Sequence, residues 1–362
     1  MTDLAIGLAQ RGEQVRVASI GSLPEHGQTQ LVQRLRDANI ELYSADCNRF
    51  AQVLRARKRL RDWMRRDRAD VVQTMLFHAN VVGTLAARAA SVGVIVGGVR
   101  VAEPFWIRMM LEARALRRMS AVVCVSESVQ AFVKEQQRVR TPLHVIPNSN
   151  DLSEWDEGDE RTAVNALGSS SPPPSSLSLN EEPPTLLFVG RLHPQKGLEL
   201  LFEALPSLLA DHPDMTVTIV GDGPLRDWVV DRAAAISSDR IAVTGWRSDV
   251  KGLMKRCRLL VLPSRYEGMP NVVMEAMASS RPVAVARVEG VNELLRDVAK
   301  DQTFEPGNSV ELAALVDRLW RDSVLASSLG KRNRELVAAN HSREAMLDAY
   351  LTLYRSLLAG RT

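Results

Sequence analysis

The sequence predicts an α/β protein made of two doubly wound domains that face each other across a cleft. Short runs rich in Val, Ile and Leu alternate along the chain with helical periods or Gly/Pro turns, which is typical of parallel sheets covered by helices. A Ser/Pro-rich stretch at residues 168–184 divides the chain into two halves. With 362 residues, the chain has the length expected of about two domains.

The first domain is expected over residues 1–150, and it begins in an unusual way. The opening "MTDLAIGLAQRGEQVRVAS" predicts a helix capped by Thr2 or Asp3, a stop at Gly12 and then a strand. A doubly wound domain normally begins with a strand whose carboxyl-terminal turn faces the ligand cleft. We therefore expect the chain to start one βα unit late, through a misplaced start codon or a genuine truncation.

The remaining elements follow in order. Further strands are predicted at "DVVQTML", "AVVCVS", "LHVIP", "TLLFVG", "TVTIVG", "IAVTG", "RLLVLPS" and "PVAVAR". Residues 151–184 are predicted to be a linker with a disordered Ser/Pro-rich insertion, and residues 185–341 a second domain. Residues 342–362 predict a terminal helix that packs back on the first domain.

Composition limits the classes of protein that the chain can belong to. Its three cysteines lie far apart with no C-x-x-C pair, which gives neither a disulfide framework nor a zinc site and indicates a reducing compartment. The net charge is +3, but residues 1–150 hold 22 Lys and Arg against 13 Asp and Glu, so the first half carries +9 and the rest −6. No cleavable signal or bilayer span is predicted.

The densest basic run is "RARKRLRDWMRRDR", residues 55–68, with eight basic and two acidic residues. It is either the solvated face of a helix or a surface that rests on anionic lipid headgroups or a polyanionic substrate. Nucleic acid is not expected as a partner, because few aromatic residues lie among these charges and no recognition motif accompanies them.

Two strand-to-helix turns in the second half suit an anion. "LLFVGRLHPQKG" places Gly190, Arg191 and Lys196 after a buried strand, where amide donors, a helix start and two positive charges suit a diphosphate. "VTIVGDGP" places Gly221 and Gly223 after the next strand. Each turn alone is also compatible with a purely structural interpretation. The first would then hold a surface Arg/Lys pair, and the second would be an ordinary tight turn.

The stretch "RYEGMPNVVMEAMASSRPV" places two glutamates around a turn. If a helix begins near Pro270 or Asn271, Glu275 lies in its first turns and Glu267 precedes it. Carboxylates accept hydrogen bonds from sugar hydroxyls, while backbone amides and the positive end of the helix hold a diphosphate. Each glutamate alone would only complement the helix dipole. The backbone amides that can point into the cleft are those of Gly268, Met269, Asn271 and Val272.

The set "FVGRLHPQKG", "VGDGP", "VTGW" and "SRYEGMPNVVMEAMASSRPV" strongly resembles the family 4 retaining glycosyltransferases of the GT-B fold, which has two Rossmann-like domains. The resemblance covers residues 185–295 strongly and the first domain more weakly. It implies a nucleotide sugar as donor substrate, held between the domains, and no cofactor. "EGMPN" also resembles enzymes of surface polysaccharide and lipid-linked glycan synthesis, which implies a glycan or lipid-linked acceptor.

The resemblance also implies roles for single residues. Arg191 and Lys196 would bind the donor diphosphate, Glu275 the ribose hydroxyls and Glu267 the transferred sugar. The resemblance also implies that His78 in "TMLFHANVVG" approaches the donor sugar. The turns of the donor site would include Gly190, Gly221, Gly223, Gly268, Met269, Asn271 and Val272. Arg100 in "GGVRVAEP" could contact acceptor or phosphate.

The implied reaction is metal-independent retaining transfer of a hexosyl group. No Asp-x-Asp occurs in the chain, and two cationic side chains can stabilise a departing diphosphate without magnesium. A nucleotide-sugar-binding protein or assembly subunit of the same fold, impaired in catalysis, remains the alternative, and a sugar phosphorylase or epimerase is a third. We expect a cytoplasmic location, with peripheral attachment to the inner face of the plasma membrane through residues 55–68.

Overall fold

The computed structural model describes residues 1–24, 29–155, 185–237 and 239–360, which form two compact units. One unit comprises Met1–Asn148 with Arg343–Thr362, and the other Ser149–Ser342. The predicted Ser/Pro-rich insertion at 168–184 lies outside the described residues. All strand pairs of the described part are parallel, and helices alternate with the strands. The predicted fold class of two doubly wound α/β domains is therefore confirmed.

The main elements follow the chain in the predicted alternation. In the first unit they are α1 (Thr2–Gln10), β1 (Arg16–Ser19), α2 (Gln30–Asp37), β2 (Glu41–Ser44), α3 (Val53–Arg66), β3 (Val71–Gln73), α4 (Thr84–Ala89), β4 (Val94–Val99), α5 (Trp106–Leu116), β5 (Ala121–Cys124), α6 (Glu127–Glu135) and β6 (Leu143–Val145). Helices α3, α4 and α5 connect β2 to β5 through β3 and β4, as parallel strands require.

The second unit continues with the same alternation. Its elements are β7 (Leu186–Val189), α7 (Leu198–Asp211), β8 (Val217–Val220), α8 (Arg226–Ser237), β9 (Ile241–Gly245), α9 (Val250–Arg256), β10 (Leu259–Leu262), α10 (Asn271–Ala278), β11 (Val283–Ala286), α11 (Val291–Leu295), α12 (Ala299–Gln302), β12 (Thr303–Phe304), α13 (Ser309–Arg321) and α14 (Ser323–Asn340). The last helix, α15 (Arg343–Ala359), belongs to the first unit.

The start of α1 differs from the expected cap. The helix begins at Thr2 with Met1 at the N-cap position, and no side chain caps it, so the prediction of a Thr2 or Asp3 cap is wrong. The predicted stop is present: Gly12 has a φ of +87°, which a residue without Cβ adopts at no steric cost. Apolar Leu4 and Leu8 are one turn apart and both buried, and this packing holds α1 in place.

The sheet of the first unit is divided. Strand β1 pairs only with β2, while β3, β4, β5 and β6 form a separate sheet in that order. The edges of β1 and β3 that lack a partner strand in the described residues line one cavity of about 610 Å³, together with α1, α3 and α15. The position between β1 and β3 is therefore flanked by two strands, and the backbone of each pairs with another strand only on its far side.

The terminal helix α15 completes the core of the first unit. Met346, Leu347 and Tyr350 pack with Leu4 of α1 and Val94 of β4 in one buried cluster. The Arg11 guanidinium also donates to the Asp348 carboxylate at 2.6 Å, which links α15 to the end of α1. Helix α15 therefore covers the same face of the first-unit sheets as α1.

Most of the basic run, residues 55–66, lies in α3. Ala56, Leu60 and Met64 are spaced at one helical turn and buried, whereas the basic side chains occupy the outer part of the helix. Charges such as the Arg59 guanidinium pair locally, in this case with the Asp46 carboxylate at 3.1 Å. No helix in the described part of the chain is long and apolar enough to cross a membrane.

The second unit has a six-stranded sheet in the order β12-β11-β10-β7-β8-β9. This is the doubly wound order in which the first strand, β7, lies beside the fourth, β10, and the connections leave in opposite directions. The strands are buried on both faces, as expected for a parallel sheet covered by helices. The reversal of direction opens a crevice beyond the carboxyl ends of β7 and β10, where such sheets bind ligands.

Candidate functional site

The loop after β7 is held against the end of β10. Gly197 has a φ of +61°, and a Cβ at this position would lie 2.0 Å from the Pro263 carbonyl oxygen, so only glycine allows this approach. The His193 Nδ1 accepts a hydrogen bond from the Gln195 amide at 3.2 Å and starts the short helical turn Pro194–Lys196. The loop therefore reaches the switch point with Lys196 as its last helical residue.

Lys196 and Glu267 meet at this switch point. The Lys196 Nζ lies 2.5 Å from the Glu267 Oε1, although the residues are 71 positions apart. Glu267 is buried, with 6% of its surface exposed, and it also accepts a hydrogen bond from the Ser264 Oγ at 2.7 Å. The structure therefore joins two residues that the sequence assigned to one donor site.

Gln195 connects the loops that follow β7 and β10 through hydrogen bonds of its main chain and its side chain. Its carbonyl accepts from the Arg265 amide at 2.8 Å, and its Nε2 donates to the Tyr266 carbonyl at 2.9 Å. The Glu267 amide donates to the Glu289 carboxylate at 3.4 Å, so a third loop also contacts this turn. Both bonds to Gln195 fix the backbone immediately before Glu267.

Helix α10 begins where the sequence predicted. Pro270 occupies the N-cap position in an extended conformation, and Asn271 is the first helical residue. Glu267 precedes the helix and Glu275 lies in its second turn, half-buried. Gly268 and Met269 are buried, Val272 is half-buried and Asn271 is exposed. The positive end of α10 therefore follows directly on the Lys196–Glu267 pair.

The glycines after β8 have a packing role. Gly221 has a φ of +145°, and a Cβ there would lie 1.8 Å from the Gly190 carbonyl oxygen. A Cβ at Gly223 would lie 2.4 Å from the Leu192 carbonyl oxygen. The two glycines therefore let the loop after β8 lie directly on the loop after β7, close to Arg191, which is exposed.

His78 and Arg100 belong to the other compact unit. His78 is exposed and follows β3, with its ring 5.1 Å from the Phe77 ring, while Arg100 follows the neighbouring strand β4. The structure therefore places both at the carboxyl edge of the first-unit sheet. It assigns Lys196, Glu267 and Glu275 to the second unit.

The charge of Arg100 acts on the α-amino group of Met1. Burial lowers the pKa of the Met1 α-amino group, and the charge of Arg100 lowers it further. The Arg100 Nη1 is itself buried and has no hydrogen-bond partner in the described residues.

Three contributors to the site were not predicted from the sequence: Ser264, Gln195 and Glu289. Ser264 stands at the end of "LLVLPS", directly after a predicted strand, and its position was the available signal. Gln195 and Glu289 act on the backbone of a distant loop, and no local pattern indicates such contacts. Among the described residues no cluster of His, Cys, Asp or Glu could hold a metal ion.

Two family models match the chain. Residues 1–154 match "Glycosyltransferase Family 4", and residues 183–322 match "Glycosyl transferases group 1". The second match contains the Lys196–Glu267 pair, both Gly turns and α10.

Curated relatives match it as well. An alpha-D-kanosaminyltransferase of Streptomyces kanamyceticus is 33% identical over 49% of this chain and 47% of the relative. A UDP-Gal:alpha-D-GlcNAc-diphosphoundecaprenol alpha-1,3-galactosyltransferase of Escherichia coli is 24% identical over 82% of this chain and 78% of the relative. The match to the first of these relatives thus spans about half of that protein's length.

Among solved structures, HepE of Anabaena in complex with UDP-glucose has a TM-score of 0.79 and 21% identity. The similarity covers 98% of this chain and 94% of that one, and it shows a shared fold.

Proposed function

We propose that this chain, which belongs to the family 4 glycosyltransferases of the GT-B fold, transfers a sugar from a nucleoside-diphosphate sugar to a glycan or lipid-linked acceptor. The observation that carries the proposal is the Lys196–Glu267 pair, held at the topological switch point and at the start of α10. It brings a cation for a diphosphate and a carboxylate for sugar hydroxyls together from two loops. Relatives that are named as sugar transferases support it.

In the proposed roles, cationic side chains bind the phosphates of the donor and carboxylates bind its hydroxyl groups. Arg191 and Lys196 bind the donor diphosphate, Glu267 the transferred sugar and Glu275 the ribose hydroxyls. The amides at the start of α10 add donors for the same anion. His78 and Arg100 are proposed to act on the donor sugar and on the acceptor or a phosphate.

The proposed chemistry is retaining and metal-independent. The bond between the anomeric carbon and the diphosphate oxygen breaks, and the acceptor oxygen forms a new bond to that carbon on the same face. The acceptor hydroxyl proton passes to the departing phosphate oxygen. Arg191 and Lys196 stabilise the negative charge that grows on the leaving group, which lowers the barrier because that charge is larger in the transition state than in the ground state.

The proposed partners include an anionic membrane surface, which the basic outer side of α3 would attract. A catalytically impaired nucleotide-sugar-binding protein is the second candidate. The divided sheet of the first unit favours it, because that sheet carries His78 and Arg100. Detection of a glycosylated product in the presence of acceptor separates the two candidates.

Thermal stabilisation tests the proposed donor site. UDP, GDP, ADP and their common sugar conjugates are added to the wild-type protein, to Glu275→Ala and to Glu203→Ala. Glu203 is exposed on α7 and serves as a matched control. We expect one nucleotide family to raise Tm in the wild type and in the control, and to raise it less in Glu275→Ala. A lack of response to every nucleotide would overturn the proposal.

A further inference from the structure

The outer face of α5 is apolar over its first two turns. Trp106 is 67% exposed, and Ile107, Met110 and Leu111 are exposed beside it. Phe105, which directly precedes the helix, is 50% exposed. The opposite face of α5 packs on its unit through residues that include the buried Ala113 and Leu116. The helix is therefore anchored from one side and presents large apolar side chains on the other, which few exposed helices do.

The last turns of the same outer face are basic. Arg114 is exposed in the last turn, and its spacing places it in line with Ile107 and Met110 along the helix. Arg117 and Arg118 are exposed directly after the last helical residue, Leu116. The acidic residue of α5, Glu112, faces inward, where it accepts from the Asn80 Nδ2 at 2.7 Å. The outer face of α5 thus combines apolar and cationic side chains without a carboxylate.

The neighbouring helices extend this charge. The Arg88 Nη1 of α4 donates to the Arg118 carbonyl at 3.4 Å, and the Arg65 Nη2 of α3 donates to the Ala89 carbonyl at 2.6 Å. Helices α3, α4 and α5 therefore form one layer. The basic outer side of α3 continues the arginine end of α5 along this layer.

We propose that α5 is a membrane-docking helix: its apolar turns enter the headgroup boundary of an anionic phospholipid surface, and its arginines contact the lipid phosphates. Helices that lie in the interface combine a large apolar side with basic residues in this way, and tryptophan favours that depth. The positive charge of the surrounding layer matches an anionic bilayer. A protein partner would have to supply many carboxylates around an apolar centre.

This surface assigns the two helices different tasks. Helix α3 buries Ala56, Leu60 and Met64 in its own unit and exposes one large apolar side chain, Leu54 at 76%, so it offers mainly charge. Helix α5 offers apolar side chains to insert as well. Docking through α5 also implies that the acceptor substrate is held at a membrane. This conclusion about the acceptor rests on the proposed function, whereas the docking itself does not.

Vesicle sedimentation tests the docking directly. The full chain is mixed with phosphatidylcholine vesicles that contain or lack phosphatidylglycerol. We expect binding to the anionic vesicles, and we expect the double variant Trp106→Ser/Met110→Ser to weaken it by about 10-fold or more, because two apolar side chains no longer leave water. The control is Val310→Ser/Val324→Ser, which removes two apolar side chains of the second unit that are 77% and 80% exposed. This control should bind like the wild type.

Charge variants complete the test. Arg114→Gln/Arg118→Gln should weaken binding to anionic vesicles, and added salt should reduce the difference from the wild type. Binding that Trp106→Ser/Met110→Ser leaves unchanged would overturn the proposal, as would a wild type that does not bind anionic vesicles. A dimer that this variant dissociates, with vesicle binding unaffected, would instead make α5 an interface between two copies.

The nucleotide response of the same variants separates this proposal from the proposed function. A normal Tm increase with nucleotide together with lost vesicle binding supports docking through α5. Vesicle binding without any nucleotide response would contradict the proposed donor site and still support docking through α5.

Discussion

The Lys196 Nζ lies 2.5 Å from the Glu267 Oε1, and this contact joins the loops that follow β7 and β10. The two side chains are 16% and 8% exposed, so water screens the pair poorly. The Ser264 hydroxyl donates to the same carboxylate oxygen at 2.7 Å. Each charge thus fixes the position of the other, at the place where the donor diphosphate and sugar are proposed to bind.

Removing one member of this pair should destabilise the second unit. We expect Lys196→Met to lower the free energy of unfolding by about 3 kcal/mol, because it leaves the Glu267 carboxylate buried without its cation. The double variant Lys196→Met/Glu267→Leu should recover part of that loss, since neither charge is then buried. Urea unfolding of the variants gives the coupling energy of the pair.

The control for this cycle is the exposed pair Arg287–Glu305, whose side chains are 2.6 Å apart and 42% and 54% exposed. Its coupling should stay under about 1 kcal/mol because solvent screens it. A Lys196→Met variant that costs no more than Arg287→Met would contradict the buried pair as a determinant of stability.

Gly221→Ala should distort the donor turn. A Cβ at Gly221 would lie 1.8 Å from the Gly190 carbonyl oxygen, and φ is +145°. We expect a loss of at least about 2 kcal/mol of unfolding free energy, because backbone strain and a backbone clash act together. Gly252→Ala in α9 is the matched control, since no atom outside its own helical backbone and chain neighbours lies within 4 Å of its added Cβ. That change should be neutral or stabilising by up to about 1 kcal/mol. Equal thermal shifts for the two variants would show that the close approach is unimportant.

The sequence predicted those parts of the fold that depend on local apolar runs. Strands such as β5 and β10 are buried on both faces, and their Val/Leu runs stand out from the surroundings. Strand β2 escaped prediction because "ELYS" is short and only partly buried. Strand β12 has two residues, Thr303 and Phe304, and is held by pairing with β11.

The predicted site residues of the second unit followed from strand order, because parallel strands bring their carboxyl ends to one edge. The contacts made by Lys196 and Gln195 could not be predicted in the same way. Each reaches a loop about seventy positions away along the chain, and only the completed sheet places the two loops side by side. The exposed apolar face of α5 also escaped prediction, because "FWIRMMLEARALRRM" resembles an ordinary amphipathic helix until its buried side is known.

Glu112 should make the stability of the first unit depend on pH. Burial raises the pKa of this carboxyl above its ordinary value, although Asn80 and Gln137 donate hydrogen bonds to it. A raised pKa in the folded state means that the folded chain binds more protons, so stability falls as pH rises from the unfolded pKa through the raised folded pKa. Below the unfolded pKa, the carboxyl is neutral in both states and the penalty is absent.

Glu112→Gln should remove this penalty. The Gln137 Oε1 is buried without a hydrogen-bond partner in the described residues, so an amide at position 112 offers it a donor. We expect the variant to gain stability over the wild type as pH rises above the unfolded value, and the gain to vanish in more acidic solution. Thermal melts from pH 4 to pH 8 measure it, with the exposed Glu135→Gln as control. A difference that does not change with pH would contradict the buried charge as its cause.

The gap between β1 and β3 should accept one more parallel strand. Both edges lack a partner strand in the described residues, and together with α1 they line the cavity of about 610 Å³. We expect that six apolar residues and a Gly-containing turn, added before Met1, raise Tm by about 4 °C or more. The added strand forms two ladders of hydrogen bonds and fills the cavity, and each kcal/mol raises Tm by about 2–4 °C in a domain of this size.

The control for that extension has the same length, with proline at two of the six positions. Proline cannot donate to a ladder, so this extension cannot pair on both sides. Both extensions convert the Met1 ammonium into an amide, so a benefit common to both reports the loss of that charge, whose pKa burial of the amino group and the charge of Arg100 lower. The difference between them isolates strand pairing. Hydrogen exchange should then slow in β1 and β3 with the apolar extension alone. Equal Tm values for the two extended chains would mean that the cavity does not accommodate a strand.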